Sequence, residues 1–394
     1  MRRALALAAV LLASASGAWA VGGDLSRTIG KALFERAWVS APSSTLANDG
    51  LGPLFNARAC AYCHQGLDRA ISEVGGDGSF TQPGMILKLS DGEGRADAAY
   101  GAQLQTAAVS GVSPEGRLVM TPHGAEARDL AFGAFAPGTH AGVRAAPSLR
   151  GVGRIADIPD AAILAHVDPD DRDGDGVSGR ANMIADSKGG QALGRFGLKS
   201  SGVTLTEQIE TAFSLDLGMS TPGRTALAGD CVQDVCRAAP HGGTEDAPEI
   251  RHDLVAMLAD YLASVPPPPA AGGDAEGTRL FASTGCASCH TPSLPDSSGG
   301  AVAAFSDLLL HDLGPGLDGG ATEPGVLRTE WRTAPLWGIS RALATRAGLL
   351  HDGRAKDVVA AVDLHGGEGE GARARFTALP EGERTALLRY VEGL

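Results

Sequence analysis

Two pentapeptides constrain this chain more than any other feature: Cys60-Ala61-Tyr62-Cys63-His64 and Cys286-Ala287-Ser288-Cys289-His290. C-x-x-C-H is the attachment pattern of c-type haem: two thiols add across the haem vinyl groups, and the adjacent His turns its imidazole to the iron as proximal ligand. A redox dithiol would have no use for the following His. A zinc site would need a second ligand pair nearby. The same pattern twice therefore predicts two covalently bound haems c, held by Cys60, Cys63 and His64 and by Cys286, Cys289 and His290. Aromatic residues make up only 5% of the chain, so large buried cofactors would supply core volume that side chains do not.

The start of the chain agrees with that chemistry. Met1-Arg2-Arg3, an apolar run from Ala4 to Leu12 and a small-residue end at Ala18-Trp19-Ala20 describe a secretory signal peptide over residues 1–20, cleaved after Ala20. The apolar run is too short to span a bilayer, and no later segment reaches about 18 uninterrupted apolar residues. The expectation is a periplasmic protein with no membrane span, since c-type haems are attached outside the cytoplasm. The formal charge of -13 argues against nucleic acid as a partner, because binding phosphates needs clustered Lys and Arg. It reads as a solvated acidic surface, compatible with docking a basic redox partner. The two remaining cysteines, Cys231 and Cys236, form an even pair in a short polar loop, most simply a structural disulfide in an oxidising compartment.

The landmarks repeat. Ala146-Pro147-Ser148-Leu149 and then Leu254–Leu262 follow the first motif; Ala334-Pro335-Leu336-Trp337 and then Arg384–Val391 follow the second. Both closing segments carry apolar residues at 3–4 spacing, the mark of an amphipathic helix. Two cytochrome-c-like haem domains in tandem account for the pattern. The first is expected over residues 21–265 with insertions near 70–140 and 155–250, and the second over 274–394. Residues 266–273 between them form a Pro-rich linker that cannot continue a helix. The 55 Gly and 22 Pro imply much loop and turn.

Asp171-x-Asp173-x-Asp175-Gly176-Val177 matches the first half of a calcium loop: alternating Asp place carboxylates on one side and Gly makes the turn. The twelfth position is Asn182 and not a bidentate Glu, so a full EF-hand is not expected. Five Asp within eight residues repel one another unless a cation offsets them, which makes Asp171, Asp173 and Asp175 candidate Ca²⁺ ligands.

Several segments together resemble the bacterial di-haem oxidoreductases of peroxidase type, relatives of di-haem cytochrome c peroxidases. They are Gly52-Pro53-Leu54-Phe55-Asn56-Ala57-Arg58, Asp168-Pro169-Asp170-Asp171 with Gly174-Asp175-Gly176, Gly194-Arg195-Phe196-Gly197, Ser306–Asp312, Glu330–Gly338 and Leu350-His351-Asp352-Gly353-Arg354. The resemblance extends over nearly the whole chain after the leader. It implies a mainly α fold with long loops and calcium steadying the region between the haems. It also implies that the first-motif haem reduces hydrogen peroxide while the second-motif haem, six-coordinate, passes it electrons from a periplasmic donor.

The far ligand of the second haem would then be His365, fourteen residues beyond His351, where classical peroxidases have Met; imidazole in place of thioether lowers the haem potential. For the first haem, His123, His140 and His166 are candidate sixth ligands or acid–base groups, with Met85 and Met120 as thioether options. The family's catalytic glutamate has no clear counterpart. Arg154 and Asp168, with His123, fall in the corresponding region. Two other functions compete with peroxide reduction: electron transfer with both haems six-coordinate, and oxidation of a macromolecular or organic substrate.

Overall fold

The computed structural model describes residues 23–394 apart from 46, 122–123, 186–188, 245 and 270–273. The expected leader, His123 and the second half of the expected linker lie outside the described residues. No helix among those described is long and apolar enough to cross a membrane.

The largest core forms where three helices meet. Leu205–Leu217 starts from a capping box: the Thr204 hydroxyl accepts from the Glu207 N–H and the Glu207 carboxylate reaches back to the cap, which satisfies two otherwise orphaned donors. Its spacing buries Leu205, Ile209, Phe213 and Leu217 on one face. His252–Ser264 buries Val255, Leu258 and Leu262, each contributing about 1.5–3 kcal/mol of transfer free energy. A helix over residues 23–35 packs on it at Gly30, where a Cβ would fall 2.0 Å from the Met257 carbonyl oxygen; only glycine permits that approach. A separate cluster forms near the C-terminus, where Ala275–Ser283 and Glu381–Glu392 bury Leu280, Phe281, Leu387 and Val391 together.

Between these helices the chain holds only short α-helices of four to nine residues, and much of it pairs as strands. Met85–Ser90 pairs antiparallel with His140–Ala145 in full register, and Arg117–Thr121 pairs with Gly124–Arg128. They cover a third core around Tyr100, whose ring meets Phe135 edge-on at 5.1 Å and whose hydroxyl donates to the Gly133 carbonyl. Leu310–Asp312 pairs with Glu330–Arg332 beside the second motif. The described residues hold six two-stranded sheets.

The expectation of a mainly α fold built as two tandem cytochrome-c-like haem domains is therefore incorrect. The described residues are 31% helix and 16% strand, with the strands in small sheets. The long Gly-rich insertions do not run wholly as loop: they carry short ladders, some local, as Thr121 to Gly124, and one between segments distant in sequence, as Met85 is from Ala145.

Candidate functional site

Each C-x-x-C-H motif folds as one tight turn, Cys60–Cys63 as helix and Cys286–Ser288 as 3₁₀. The His64 N–H donates to the Cys60 carbonyl at 3.0 Å and the His290 N–H to the Cys286 carbonyl at 2.9 Å. The second turn is entered through Gly285, whose φ of +83° favours glycine and whose Cβ would collide with the Arg375 guanidinium. His64 Nδ1 lies 2.8 Å from the Pro147 carbonyl oxygen, and His290 Nδ1 lies 2.9 Å from that of Phe305. A carbonyl only accepts, so Nδ1 carries the proton in both rings and Nε2 is left bare. A metal-ligating imidazole is commonly held in this way. The first carbonyl belongs to the repeated Ala-Pro landmark; the second does not, and comes from the Ser306–Asp312 side.

All four motif cysteines are free and line one cavity of about 1850 Å³, together with both motif histidines. A pocket for one drug-sized ligand occupies about 300–1,000 Å³, so this one has room for two large planar groups. Burial, reinforced by the Asp216 charge, pushes the Cys60 and Cys63 thiols up to about 12. Burial likewise lowers His64, and brings His290 down to about 4. Two thiols beside a neutral imidazole that is bare at Nε2 fit haem at both motifs.

His365 lines the same cavity. It follows the helix Val358–Asp363, and its Nδ1 lies 2.7 Å from the Ala361 carbonyl, so its Nε2 is bare as well. Its charge would lower the pKa of His290, which marks the two rings as neighbours. Among the described residues, the charged side chain that acts on His64 is Asp216, and no imidazole does so. His311, also on the wall, has both nitrogens engaged by carboxylates, Nε2 by Asp307 at 2.9 Å and Nδ1 by Glu368 at 2.7 Å. It therefore has no bare nitrogen for iron.

The other sequence candidates lie elsewhere. His140 meets Arg328 at 3.0 Å on its strand, and His166 is exposed. Met85 packs in the Tyr100 core and Met120 sits opposite Ala125 in a hairpin. Arg154 is bound by Asp157 and Asp296, and Asp168 accepts the Arg172 N–H at 2.8 Å. None of these six lines the cavity.

Two residues that sequence reasoning passed over do line it. Asp216 acts on both thiols and the imidazole of the first motif, and its Oδ1 accepts from Gln103 Nε2 at 2.8 Å. Gln103 is fully buried, with its Oε1 unpartnered. No local pattern in the sequence singles them out, since they reach the first motif from distant segments.

In the acidic loop, carboxylate oxygens of Asp171, Asp173 and Asp175 lie within 4.8 Å of one another. Asp175 Oδ2 accepts from Ser288 Oγ, inside the second motif, at 3.0 Å. Asn182 is turned away and donates to the Lys199 and Ser200 carbonyls. Cys231 and Cys236 stand at disulfide distance.

Bare imidazoles and free thiols facing one shared cavity define the class: a haem-binding oxidoreductase. The chain belongs to the family described as "Di-haem oxidoreductase, putative peroxidase", whose model matches residues 135–394, about two thirds of its length. The match takes in the second motif, while the first lies before it; it is narrower than the nearly chain-long resemblance read from the sequence. No curated protein matches the chain. Among solved structures, hydrazine synthase of Kuenenia stuttgartiensis under xenon pressure is similar at 14% identity and a TM-score of 0.36, over 93% of this chain and 92% of that one.

Proposed function

We propose that the protein is a periplasmic di-haem c oxidoreductase that reduces hydrogen peroxide at the first motif and relays electrons through the second. The difference between the two imidazoles carries the reading: His290 has His365 as a neighbour with a bare Nε2, and among the described residues no imidazole acts on His64 in that way. A haem ligated on both sides suits electron transfer, and one with an open side suits a small-molecule oxidant.

Cys60 and Cys63 would form one thioether bond each to the first haem, Cys286 and Cys289 one each to the second, and His64 and His290 would be the proximal ligands. When bound, the haems supply the chemistry by which two electrons and two protons convert peroxide to water. The chain's own part is narrower. The Pro147 and Phe305 carbonyls hold the proton on Nδ1, so that each Nε2 stays available. The Ala361 carbonyl does the same for His365. Asp216 sets a negative charge beside the first motif and fixes the Gln103 amide, whose free Oε1 can accept a hydrogen bond from a hydroxyl on the cavity side.

The acidic loop would hold a structural Ca²⁺ between Asp171, Asp173 and Asp175. Its tie to Ser288 makes it a brace for the second motif. The external electron donor would be a periplasmic redox protein.

Mixing peroxide with the half-reduced protein while following optical and EPR spectra tests the function. The high-spin fraction should respond within the mixing time, and substitution of His64 should abolish that response. Two haems that stay low-spin in every redox state, and bind neither peroxide nor cyanide, would leave an electron carrier in place of a peroxidase.

A further inference from the structure

Three guanidinium groups on the cavity wall, one buried and two half-buried, lack the carboxylate that such a place would ordinarily demand. Arg69, Arg144 and Arg332 line the cavity, and among the described residues none has a carboxylate within ion-pair distance, whereas Arg150 and Arg341 on the same wall both pair with Asp68. Their protein partners are backbone carbonyls. Arg69 donates through Nη2 to Leu350. Arg144 donates to Val143 and Gly319 at 2.9 Å and to Ala321 at 2.7 Å. Arg332 donates to Gly197 at 2.8 Å and Thr333 at 3.2 Å. A guanidinium has five N–H donors, so each keeps some to spare.

Two donors there are orphaned outright. Arg69 Nε and Thr333 Oγ1 are buried without a partner, and Thr333 also lines the cavity. Such groups are costly to leave unsatisfied, and cations withdrawn from water without a counter-charge are more so. Burial pulls each of the three guanidinium groups down to about 10, with Asp352, Glu323 and Asp307 as only partial and distant compensation. They remain cationic at neutral pH.

Their placement follows the two motifs. Arg69 comes five residues after His64, and the Ala70 N–H beside it donates to Ala146, next to the Pro147 that holds His64. Arg144 precedes the same Ala-Pro segment. Thr333 is pinned by Ser306 Oγ and by the Leu309 carbonyl, adjoining the Phe305 that holds His290.

We infer that Arg69 with Arg144, and Arg332 with Thr333, are two carboxylate cradles, which receive the propionates of the first- and second-motif haems respectively. The inference rests on the proposed haem attachment at both motifs. It adds which residues neutralise the propionates, and hence which side chains set the charge around each haem. A cation fixed beside a propionate in a medium of low dielectric favours the reduced, less positive haem. Its removal should lower that haem's midpoint potential and leave the other's nearly unchanged.

The test uses holoprotein with Arg332→Gln, Arg69→Gln and, as a control on an already paired guanidinium, Arg150→Gln. Haem content is measured by pyridine haemochrome, the propionate-bending band by resonance Raman, and midpoint potentials by spectroelectrochemical titration. Arg332→Gln should shift the propionate band and lower the potential of the low-spin haem. Arg69→Gln should do so for the other haem, with both haems retained, and Arg150→Gln should do neither. If Arg332→Gln does not fold, Thr333→Val removes only the hydroxyl and should move the same band by less. Unchanged bands and potentials in a protein that still carries two haems overturn the cradles. So does a wild-type spectrum that responds to added acetate while the variants' propionate bands do not move, since the cradles would then serve a diffusible carboxylate. A wild-type protein without haem is a different outcome, and refutes the haem reading itself.

Discussion

Glu368 Oε2 lies 2.7 Å from His311 Nδ1, and the same carboxylate accepts the N–H groups of Ser178 and Asp312. One side chain thus joins three segments: the strand that carries His311, the end of the acidic loop and the turn that begins at His365. Burial alone would lower the pKa of His311, but Asp307, Cys289 and Glu368 outweigh it and hold the ring well above its ordinary value. The pair is therefore an imidazolium between carboxylates, and Glu368 is the one on the His365 turn.

Glu368→Gln should weaken that clamp. Hydrogen bonds to charged groups contribute about 1.5–3 kcal/mol, and a loss of that order should appear in thermal melting. Because His365 is only three residues away, the variant should also show a new high-spin fraction in EPR. A stability loss with no change of spin state would mean that the clamp does not position His365.

His365→Ala should convert one low-spin signal to high-spin while both haems stay covalently bound by mass. In His311→Ala the spin state should hold, because His311 has no bare nitrogen. The opposite pattern would exchange the roles of the two histidines.

Replacing Cys60 and Cys63 by Ala should leave one haem by intact mass, and replacing Cys286 and Cys289 should do the same. Retention of two haems in either double variant would rule out thioether attachment at that motif.

Chelation should lower the melting temperature if the acidic loop holds calcium. At a free ion concentration about 100 times Kd, a bound ion stabilises by about 2.7 kcal/mol, so removal should be visible by calorimetry. Asp173→Asn should abolish the response to chelator. A wild-type melting curve indifferent to calcium would leave the loop a charged turn.

The chemistry of this chain was more legible in its sequence than its architecture. C-x-x-C-H is a covalent constraint contained in five residues, and both instances line one cavity. The helices over Leu254–Leu262 and Arg384–Val391 announced themselves through apolar spacing, which is also local. The ladder between Met85–Ser90 and His140–Ala145 did not. Its pairing depends on residues outside any short window, and the strands here run from two to six residues, too short for alternation to stand out. Asp216, Gln103 and Arg144 were missed for the same reason. An Asp in an amphipathic helix looks like a solvated residue until the fold sets it against Cys60 and His64. Arg154 and Asp168 stood out by position, and the structure places their partners outside the cavity.

Acid should destabilise the protein through His351. Its ring stacks on Trp331 at 3.8 Å and 9°, and Trp331 in turn carries Lys199 at 3.9 Å and Arg144 at 4.7 Å. Burial first, then the charges of Arg144, Arg354, Lys199 and Arg69, push His351 down to about 2. Asp352, with its oxygen 3.7 Å from Nε2, does not reverse this. A histidine in the unfolded chain titrates near 6.5. Below that pH the unfolded state binds a proton that the folded state refuses, so stability falls as pH drops from about 6.5 toward about 2. The slope is about 1.4 kcal/mol per pH unit, or about 3 kcal/mol by pH 4.5. Glu115 and Glu249, which burial raises to about 7, work the other way, since they favour the fold below about 4.5 and lose that advantage as pH rises toward 7. The effect of His351 is therefore best read as a difference. His351→Phe keeps the stack on Trp331 but cannot take up a proton. Melting curves of the two proteins should move closer together, or cross, between pH 7 and 4.5, as the wild type loses stability that the variant does not. A gap that stays constant across that range would show that His351 takes up its proton in the folded state as readily as in the unfolded one.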